Sequence, residues 1–153
     1  MIESFVVDVA RTIDASVVSA MTRLLPQLST SASTPNAETL QSIVNQECAM
    51  LLLARRGSVH GEIVGALTLV VFRIPTGVRA WIEDVVVDAE YRGNGIGESL
   101  TREALRHAAA RGAQFVDLTS RPSRAAANRL YQRMGFTPRD TNCYRFTIER
   151  TAL

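Results

Sequence analysis

Residues 90–100 read EYRGNGIGESL, with glycines at alternate positions, Gly93, Gly95 and Gly97, directly before a segment of helical periodicity. Glycine loses more conformational entropy on folding than any other residue, so this cluster indicates a backbone that must come close to something. A strand that runs through glycines into a helix directs several backbone N–H groups and the positive end of the helix dipole at one point. The stretch therefore predicts a phosphate-binding loop.

Two common phosphate-binding loops do not fit this stretch. A dinucleotide fingerprint needs G-x-G-x-x-G, but counted from Gly93 its last position is Glu98. The ATP-type loop needs a lysine after its last glycine, and all 17 basic residues of this chain are arginines. What remains is an R-x-x-G-x-G loop formed by Arg92, Gly95 and Gly97.

Strand-like and helical segments alternate along the rest of the chain. The patterns predict strands at 2–10, 48–56, 62–72, 79–88, 113–120 and 142–148, and helices at 12–28, 37–46, 97–111 and 123–134, the last capped by Ser123. Turn signals at Gly57 and at 75–77 separate the three central strands and favour antiparallel hairpins. We therefore expect one mixed α/β domain over residues 1–153.

The composition is that of an ordinary globular protein, with 153 residues, 46% of them hydrophobic and 21% charged. No apolar run approaches the ~20 residues of a membrane-spanning helix, and the N-terminal segment has no basic leader. We therefore expect a cytoplasmic protein without membrane contact. Cys48 and Cys143 lie outside any ligand pattern, which predicts two buried thiols and no metal site.

Charge is divided unevenly along the chain. Residues 1–88 hold six arginines and nine acidic residues, a net charge of −3, and residues 89–153 hold eleven arginines and six acidic residues, a net charge of +5. The total of +2 is too small to indicate a nucleic-acid partner. The basic part carries the glycine loop and suits an anionic ligand, whereas the acidic part suits a cationic one.

A second motif, N-x-x-Y-x-x-x-G-F, spans residues 128–136. Together the two motifs resemble the GNAT superfamily of acyl-CoA-dependent N-acyltransferases, and the order of elements agrees over nearly the whole chain. The resemblance implies a mixed, mostly antiparallel sheet flanked by helices. It also implies that the pyrophosphate of acetyl-CoA is held by Arg92, Gly93, Asn94, Gly95, Ile96 and Gly97.

The resemblance implies further cofactor contacts. In this family the strand before the loop separates from its neighbour to admit the cofactor, here between the strands at 79–88 and 113–120. Backbone groups of the first strand would bind the pantetheine amides, a role that falls to Val85, Val86 and Val87. Asn128 would bind the cofactor near the pantetheine arm, and Tyr131 would protonate the departing thiolate as a general acid. Without such a role, Tyr131 would be a core residue with its hydroxyl at the rim.

Two adjacent acids, Glu83 and Asp84, are candidates for the base that deprotonates an amine. On a regular strand they point to opposite faces. The expected faces are Glu83 with Trp81, Val85 and Val87, and Asp84 with Ile82 and Val86. Acids within an apolar run are unfavourable unless paired or functional, and an ion pair with Arg79 or Arg145 is the alternative. Because the resembled family often places a base or a water-holding carboxylate on this strand, we choose Glu83 and keep Asp84 as second candidate.

The sequence thus predicts an N-acetyltransferase that transfers the acetyl group of acetyl-CoA directly to a primary amine of a small molecule, or of a protein or peptide. No cysteine motif indicates a covalent acyl intermediate. The alternative is a non-catalytic acyl-CoA-binding sensor of the same fold, in which substitution of Tyr131 would leave cofactor affinity intact and have no turnover to remove. Many relatives form dimers, so a homodimer is compatible with this prediction.

Overall fold

The computed structural model describes residues 4–149, and within them the elements follow the predicted order up to residue 133. They are β1 (Phe5–Val9), α1 (Ala15–Leu28), α2 (Ala37–Val44), β2 (Ala49–Arg56), β3 (Ile63–Ile74), β4 (Gly77–Val87), a 3₁₀ turn (Ala89–Tyr91), α3 (Ile96–Ala110), β5 (Phe115–Asp117) and α4 (Ala125–Arg133).

The strands form one sheet in the order β1-β2-β3-β4-β5. Neighbours from β1 to β4 are antiparallel, and β5 is parallel to β4. The prediction of a mixed, mostly antiparallel sheet is therefore confirmed. No helix within residues 4–149 has the length and apolarity that crossing a membrane requires.

Helices cover both faces of this sheet, and adjacent residues of β3 show how. Ala66 belongs to a buried cluster with side chains of α1 and α2, such as Val17 and Leu40. Gly65 lies beneath Ile96 and Leu100 of α3. Successive residues of a strand point to opposite faces, so α1 and α2 pack on one side and α3 on the other. The sheet therefore fixes the start of α3 relative to the end of β4.

The chain divides into two compact units, with the boundary between Thr119 and Ser120. The first holds the whole sheet and α1 to α3. The second holds α4 and, within its described part, residues 134–149 without regular secondary structure. The single domain expected over residues 1–153 stays a prediction.

Several expectations about the C-terminal part are wrong. No strand forms at 142–148, where Tyr144, Phe146 and Ile148 are 87%, 87% and 78% exposed. Alternation makes one face apolar, but a strand also needs a paired edge, and no described strand pairs with this segment. Ser123 does not cap α4, because the helix begins after Arg124 without a side-chain cap. The prediction of two buried thiols is also wrong. Cys143 lies in the irregular C-terminal segment and is exposed, and Cys48, which precedes β2, is only partly buried.

Candidate functional site

The loop between β4 and α3 is built around two left-handed glycines. Gly93 has φ = +82° and Gly95 has φ = +76°, a conformation that costs other residues roughly 1–2 kcal/mol. A Cβ atom on either glycine would meet no other heavy atom within 4 Å. The backbone conformation therefore explains the glycines, and the space above them is open to a ligand.

The N-terminus of α3 has no side-chain cap among the described residues. The two preceding helices begin differently, because Asp14 accepts two backbone N–H bonds at the start of α1 and Asn36 accepts one at the start of α2. Gly95 stands at the capping position of α3 and has no side chain to accept such a bond. The first N–H groups of α3 are therefore available to an anion, which the helix dipole also attracts.

The polar side chains of the loop bind its own carbonyl groups. Nδ2 of Asn94 donates to the carbonyl oxygens of Tyr91 (3.0 Å) and Arg92 (3.4 Å). Nε of Arg92 donates to the carbonyl oxygen of Val87 (3.2 Å). These bonds occupy acceptors and involve none of the backbone N–H groups of the loop. The structure thus gives Asn94 a loop-ordering role that the sequence did not reveal, and direct cofactor contact by residues 92–97 stays a prediction.

The pairing of β4 with β5 is short. It extends over three residues of each strand and ends where Trp81 faces Asp117. Beyond that point Ile82–Val87 have β3 on one side and no paired strand on the other, as far as the described residues show. The two strands therefore separate between the segments that the sequence singled out, directly before the glycine loop. Val85, Val86 and Val87 lie on the unpaired edge.

A β-bulge interrupts β4 at the two adjacent acids. Ala66 of β3 pairs with Val86 and Thr68 pairs with Glu83, so three steps along β4 match two along β3. Asp84 adopts φ = +50°, the only positive φ of a non-glycine residue in the described chain. Paired residues share a sheet face, so Glu83 shares one with Val86. The prediction that Val86 lies on the face of Asp84 is therefore wrong, as is the regular alternation predicted beyond Glu83, because the bulge adds one residue.

Both carboxylates of this bulge are exposed. Oε1 of Glu83 accepts a hydrogen bond from Nε1 of Trp81 (2.7 Å), which confirms that these two side chains share a face. The ion pair with Arg79 is wrong, because that guanidinium lies over the ring of Phe115, 5.5 Å from its centroid. Within residues 4–119 neither acid has a basic partner, so the bulge presents two exposed carboxylates without a cationic neighbour in this part of the chain.

The second motif lies on α4 in the second unit. Tyr131 is 9% exposed, and its ring meets that of Phe136 edge-on with centroids 5.7 Å apart. Gly135, with φ = +95°, reverses the chain so that the N–H of Phe136 donates to the carbonyl oxygen of Tyr131 (3.0 Å). Burial raises the pKa of the Tyr131 phenol above its usual value, and the charge of Arg124 offsets this in part. The phenol is therefore protonated throughout the neutral pH range.

Asn128 lies one helical turn before Tyr131 and donates through Nδ2 to the carbonyl oxygen of Arg121 (2.9 Å). This bond fastens the chain that enters α4, and it involves Nδ2 and not Oδ1. The spacing N-x-x-Y thus combines a local structural bond with a buried phenol. The cofactor contact of Asn128 stays a prediction.

Asp88, close to the glycine loop in the chain, is a buried acid that sequence reasoning missed. It follows β4 directly, is 5% exposed and caps the 3₁₀ turn by accepting a hydrogen bond from the N–H of Glu90 (3.2 Å). An aspartate directly before a short helical turn is a recognisable capping signal. Its burial and its long-range partner leave no local trace in the sequence.

No group of three or more His, Cys, Asp or Glu side chains that could hold a metal ion occurs within residues 4–149.

Comparison with known proteins gives a consistent picture. Residues 19–136 match the sequence profile of the acetyltransferase (GNAT) family. The uncharacterized N-acetyltransferase YhdJ of Bacillus subtilis is 35% identical over 99 residues, which make up 64% of this chain and 68% of that protein. The mycothiol acetyltransferase of Saccharopolyspora erythraea is 43% identical over 58 residues, 38% of this chain. The matched segment spans only 19% of that longer protein.

Among solved structures, the aminoglycoside acetyltransferase meta-AAC0020 from an uncultured soil metagenomic sample matches with a TM-score of 0.81 in its complex with trehalose. The match covers 95% of this chain and 97% of that chain at 21% identity. Its complex with sisomicin matches with a TM-score of 0.80 at 20% identity and the same coverage. The two chains therefore share their fold.

Proposed function

Because this chain belongs to the GNAT family of acetyltransferases, we propose that it transfers the acetyl group of acetyl-CoA directly to a primary amine. The uncapped start of α3 behind the glycine loop is the observation that carries the proposal, since it offers amide donors to a pyrophosphate. The unpaired edge of β4 directly before this loop is a second feature that suits the cofactor. An extended, amide-containing arm can bind such an edge as an added strand would.

The residues that would hold the cofactor follow from these features. Acetyl-CoA supplies the acetyl group as a thioester, which an amine attacks readily. Residues 92–97 would bind the pyrophosphate through backbone N–H groups, with the two terminal nitrogens of Arg92 adding positive charge. Val85–Val87 would bind the pantetheine amides, and Oδ1 of Asn128 would accept a hydrogen bond from one of them.

The acceptor is a cationic amine in this proposal. Glu83 and Asp84 place two exposed carboxylates beside the unpaired edge of β4 without a basic partner in residues 4–119, and such a site attracts positive charge. An amine with a pKa of ~10 is mostly protonated at neutral pH and must lose a proton before it attacks. Trp81 holds one oxygen of Glu83, which leaves the other to take that proton through a water molecule. Asp84, in its strained conformation, is the second candidate for this role.

Two side chains then balance the protons of the reaction. Glu83 takes the proton that the amine loses as the N–C bond forms, and Tyr131 gives its phenolic proton to the sulfur as the C–S bond breaks. The raised pKa of Tyr131 favours its protonated form, which is the form a general acid needs.

The test is release of the coenzyme A thiol from acetyl-CoA across polyamines, amino sugars, aminoglycosides, amino acids and peptides with a free N-terminus. Tyr131→Phe removes only the hydroxyl and keeps the ring against Phe136. We expect one class of amine to give turnover, and Tyr131→Phe to lower kcat by about 10²- to 10⁴-fold. Tyr144→Phe removes the same atom from an exposed tyrosine and serves as the matched control, with wild-type turnover expected.

Saturable binding of acetyl-CoA without turnover on any amine would contradict catalysis and favour a non-catalytic acyl-CoA sensor. Wild-type turnover in Tyr131→Phe would contradict only the role of Tyr131 as general acid, and acetyl transfer itself would stand.

A further inference from the structure

An ion pair anchors the segment between β4 and the glycine loop to helix α1. Oδ2 of the buried Asp88 accepts a hydrogen bond from Nη1 of Arg23, 65 positions earlier in the chain. Nη2 of Arg23 donates to the carbonyl oxygen of Ile63 (2.7 Å) and lies 3.5 Å from Oε1 of Glu62. One guanidinium therefore joins α1, the start of β3 and the end of β4.

The next turn of α1 makes a second bond to the same segment. Oε1 of Gln27 accepts from the N–H of Ala89 (2.8 Å). Asp88 itself donates its N–H to the carbonyl oxygen of Val64 (2.9 Å) and accepts from the N–H of Glu90 (3.2 Å). Hydrogen bonds from α1 and β3 thus fix both the backbone and the Asp88 side chain of this segment immediately before the loop.

The last residue of the 3₁₀ turn continues this network into the loop. The hydroxyl of Tyr91 donates to Oε2 of Glu62 (3.1 Å), the carboxylate whose other oxygen lies near Arg23. The carbonyl oxygen of Tyr91 in turn accepts from Asn94 (3.0 Å). Contacts therefore run from Arg23 through Glu62 and Tyr91 to the side chain of Asn94. Asp88 binds the same guanidinium and accepts from the N–H of Tyr91 through its carbonyl oxygen.

A partly buried ion pair is an inefficient stabiliser, because desolvation of the charges offsets much of their attraction. A pair in this position does fix the backbone that presents the N–H groups of the loop, and a preorganised site binds its ligand more tightly. We infer that Arg23 and Asp88 are positioning residues for the cofactor loop, which set affinity for the phosphate-bearing part of acetyl-CoA. The inference rests on the proposed function, since it takes the loop to bind that cofactor.

The chain contains a matched control pair. Nε of Arg55 on β2 donates to Oδ1 of Asp8 on β1 (2.8 Å), and the Arg55 side chain is only 11% exposed. This pair also joins an arginine to an aspartate between two elements, and its hydrogen bond does not involve the segment 88–91. Loss of Arg55 therefore reports the general effect of removing a partly buried ion pair.

The experiment compares acetyl-CoA with acetyl-pantetheine, a thioester that lacks the phosphates, in the wild type and in Arg23→Gln, Asp88→Asn and Arg55→Gln. We expect the ratio of kcat/KM for the two donors to fall on the order of 3- to 30-fold in Arg23→Gln and Asp88→Asn. Their kcat at saturating acetyl-CoA should stay close to that of the wild type. Arg55→Gln should keep the wild-type ratio even where its melting temperature falls, and Arg23→Lys, which keeps the charge, should recover part of the ratio.

The outcomes separate this inference from the proposed function. An unchanged donor ratio in Arg23→Gln and Asp88→Asn, or an equal fall in Arg55→Gln, overturns the positioning role while acetyl transfer stands. If the substituted proteins are too unstable for kinetics, calorimetric titration of Arg23→Lys with coenzyme A decides, since the same reasoning expects weakened binding. Absence of coenzyme A binding by the wild type overturns the proposed function and this inference with it.

Discussion

Substitution of Gly95 separates the folding role of this glycine from its role at the ligand. With φ = +76° and ψ = 7°, Gly95 lies in the left-handed region at the start of α3. Alanine there costs about 1–2 kcal/mol in the folded chain, and a reduced entropy of the unfolded chain offsets part of this. A Cβ atom would meet no heavy atom within 4 Å, so no clash adds to the strain. We therefore expect Gly95→Ala to lower the free energy of unfolding by about 1 kcal/mol and the melting temperature by about 2–4 °C.

Asparagine tolerates the left-handed region better than alanine, so Gly95→Asn should be the more stable of the two variants. Its longer side chain, however, fills more of the space above the N–H groups of α3. Loss of one hydrogen bond to a charged group amounts to about 1.5–3 kcal/mol, or about 10- to 100-fold in Kd. The expected order of acetyl-CoA affinity is thus wild type, then alanine, then asparagine, whereas the order of stability places asparagine above alanine.

The assays are calorimetric titration with acetyl-CoA and thermal denaturation. Gly112→Ala is the control, because Gly112 has φ = +82°, equally open surroundings and a position just beyond the other end of α3. It should lose similar stability and no affinity. The reasoning is refuted if Gly95→Asn binds acetyl-CoA more tightly than Gly95→Ala, or if Gly112→Ala weakens binding as much as either.

Three further predictions concern the base, a histidine and a close packing contact. Glu83→Gln should lower kcat by about 10²- to 10⁴-fold at neutral pH, and the deficit should shrink as the pH rises toward the pKa of the acceptor amine, which a pH profile of kcat checks. Burial lowers the pKa of the His107 imidazole, and the charge of Arg106 lowers it further. The unfolded chain therefore binds a proton more readily than the folded chain, and the stability of the fold falls as the pH drops through 6.5. Thermal denaturation above and below this pH should show a smaller loss of stability for His107→Gln than for the wild type, and an equal loss would contradict this prediction. Gly65→Ala places a Cβ 3.2 Å from Cγ2 of Ile96 and 3.1 Å from the carbonyl oxygen of Val86 on the neighbouring strand. We therefore expect denaturant unfolding to show a fold destabilised by about 1–3 kcal/mol. An unchanged unfolding midpoint would contradict this, because it would mean that the neighbouring atoms move aside without cost.

Elements with strong periodicity were predictable from the sequence. Leu100, Ala104 and Ala108 recur at helical spacing in the sequence, and all three are fully buried along α3. The glycine loop also lies where its motif indicated. Helix and loop are local features, so a short window of sequence contains their cause. The separation of the strands at 79–88 and 113–120 lies where the family resemblance implied it.

Features that depend on distant partners were not predictable. The bulge at Asp84 inserts one residue into β4, and the uniformly apolar run that follows carries no alternation to reveal the change of phase. The bond between Arg23 and Asp88 joins residues 65 positions apart. At residues 142–148 the sequence pattern predicts a strand that does not form. Their alternation is typical of a strand, but no described strand supplies the hydrogen bonds.

The most direct test of the account is mass spectrometry of the acceptor amine after incubation with acetyl-CoA and the wild-type protein, together with titration of the released thiol. The account predicts an acceptor heavier by one acetyl group, with one thiol released per acetylated molecule and neither product formed at comparable rate in Tyr131→Phe. Thiol release without an acetylated amine, or stoichiometric binding of acetyl-CoA with no product from any amine class, would contradict it.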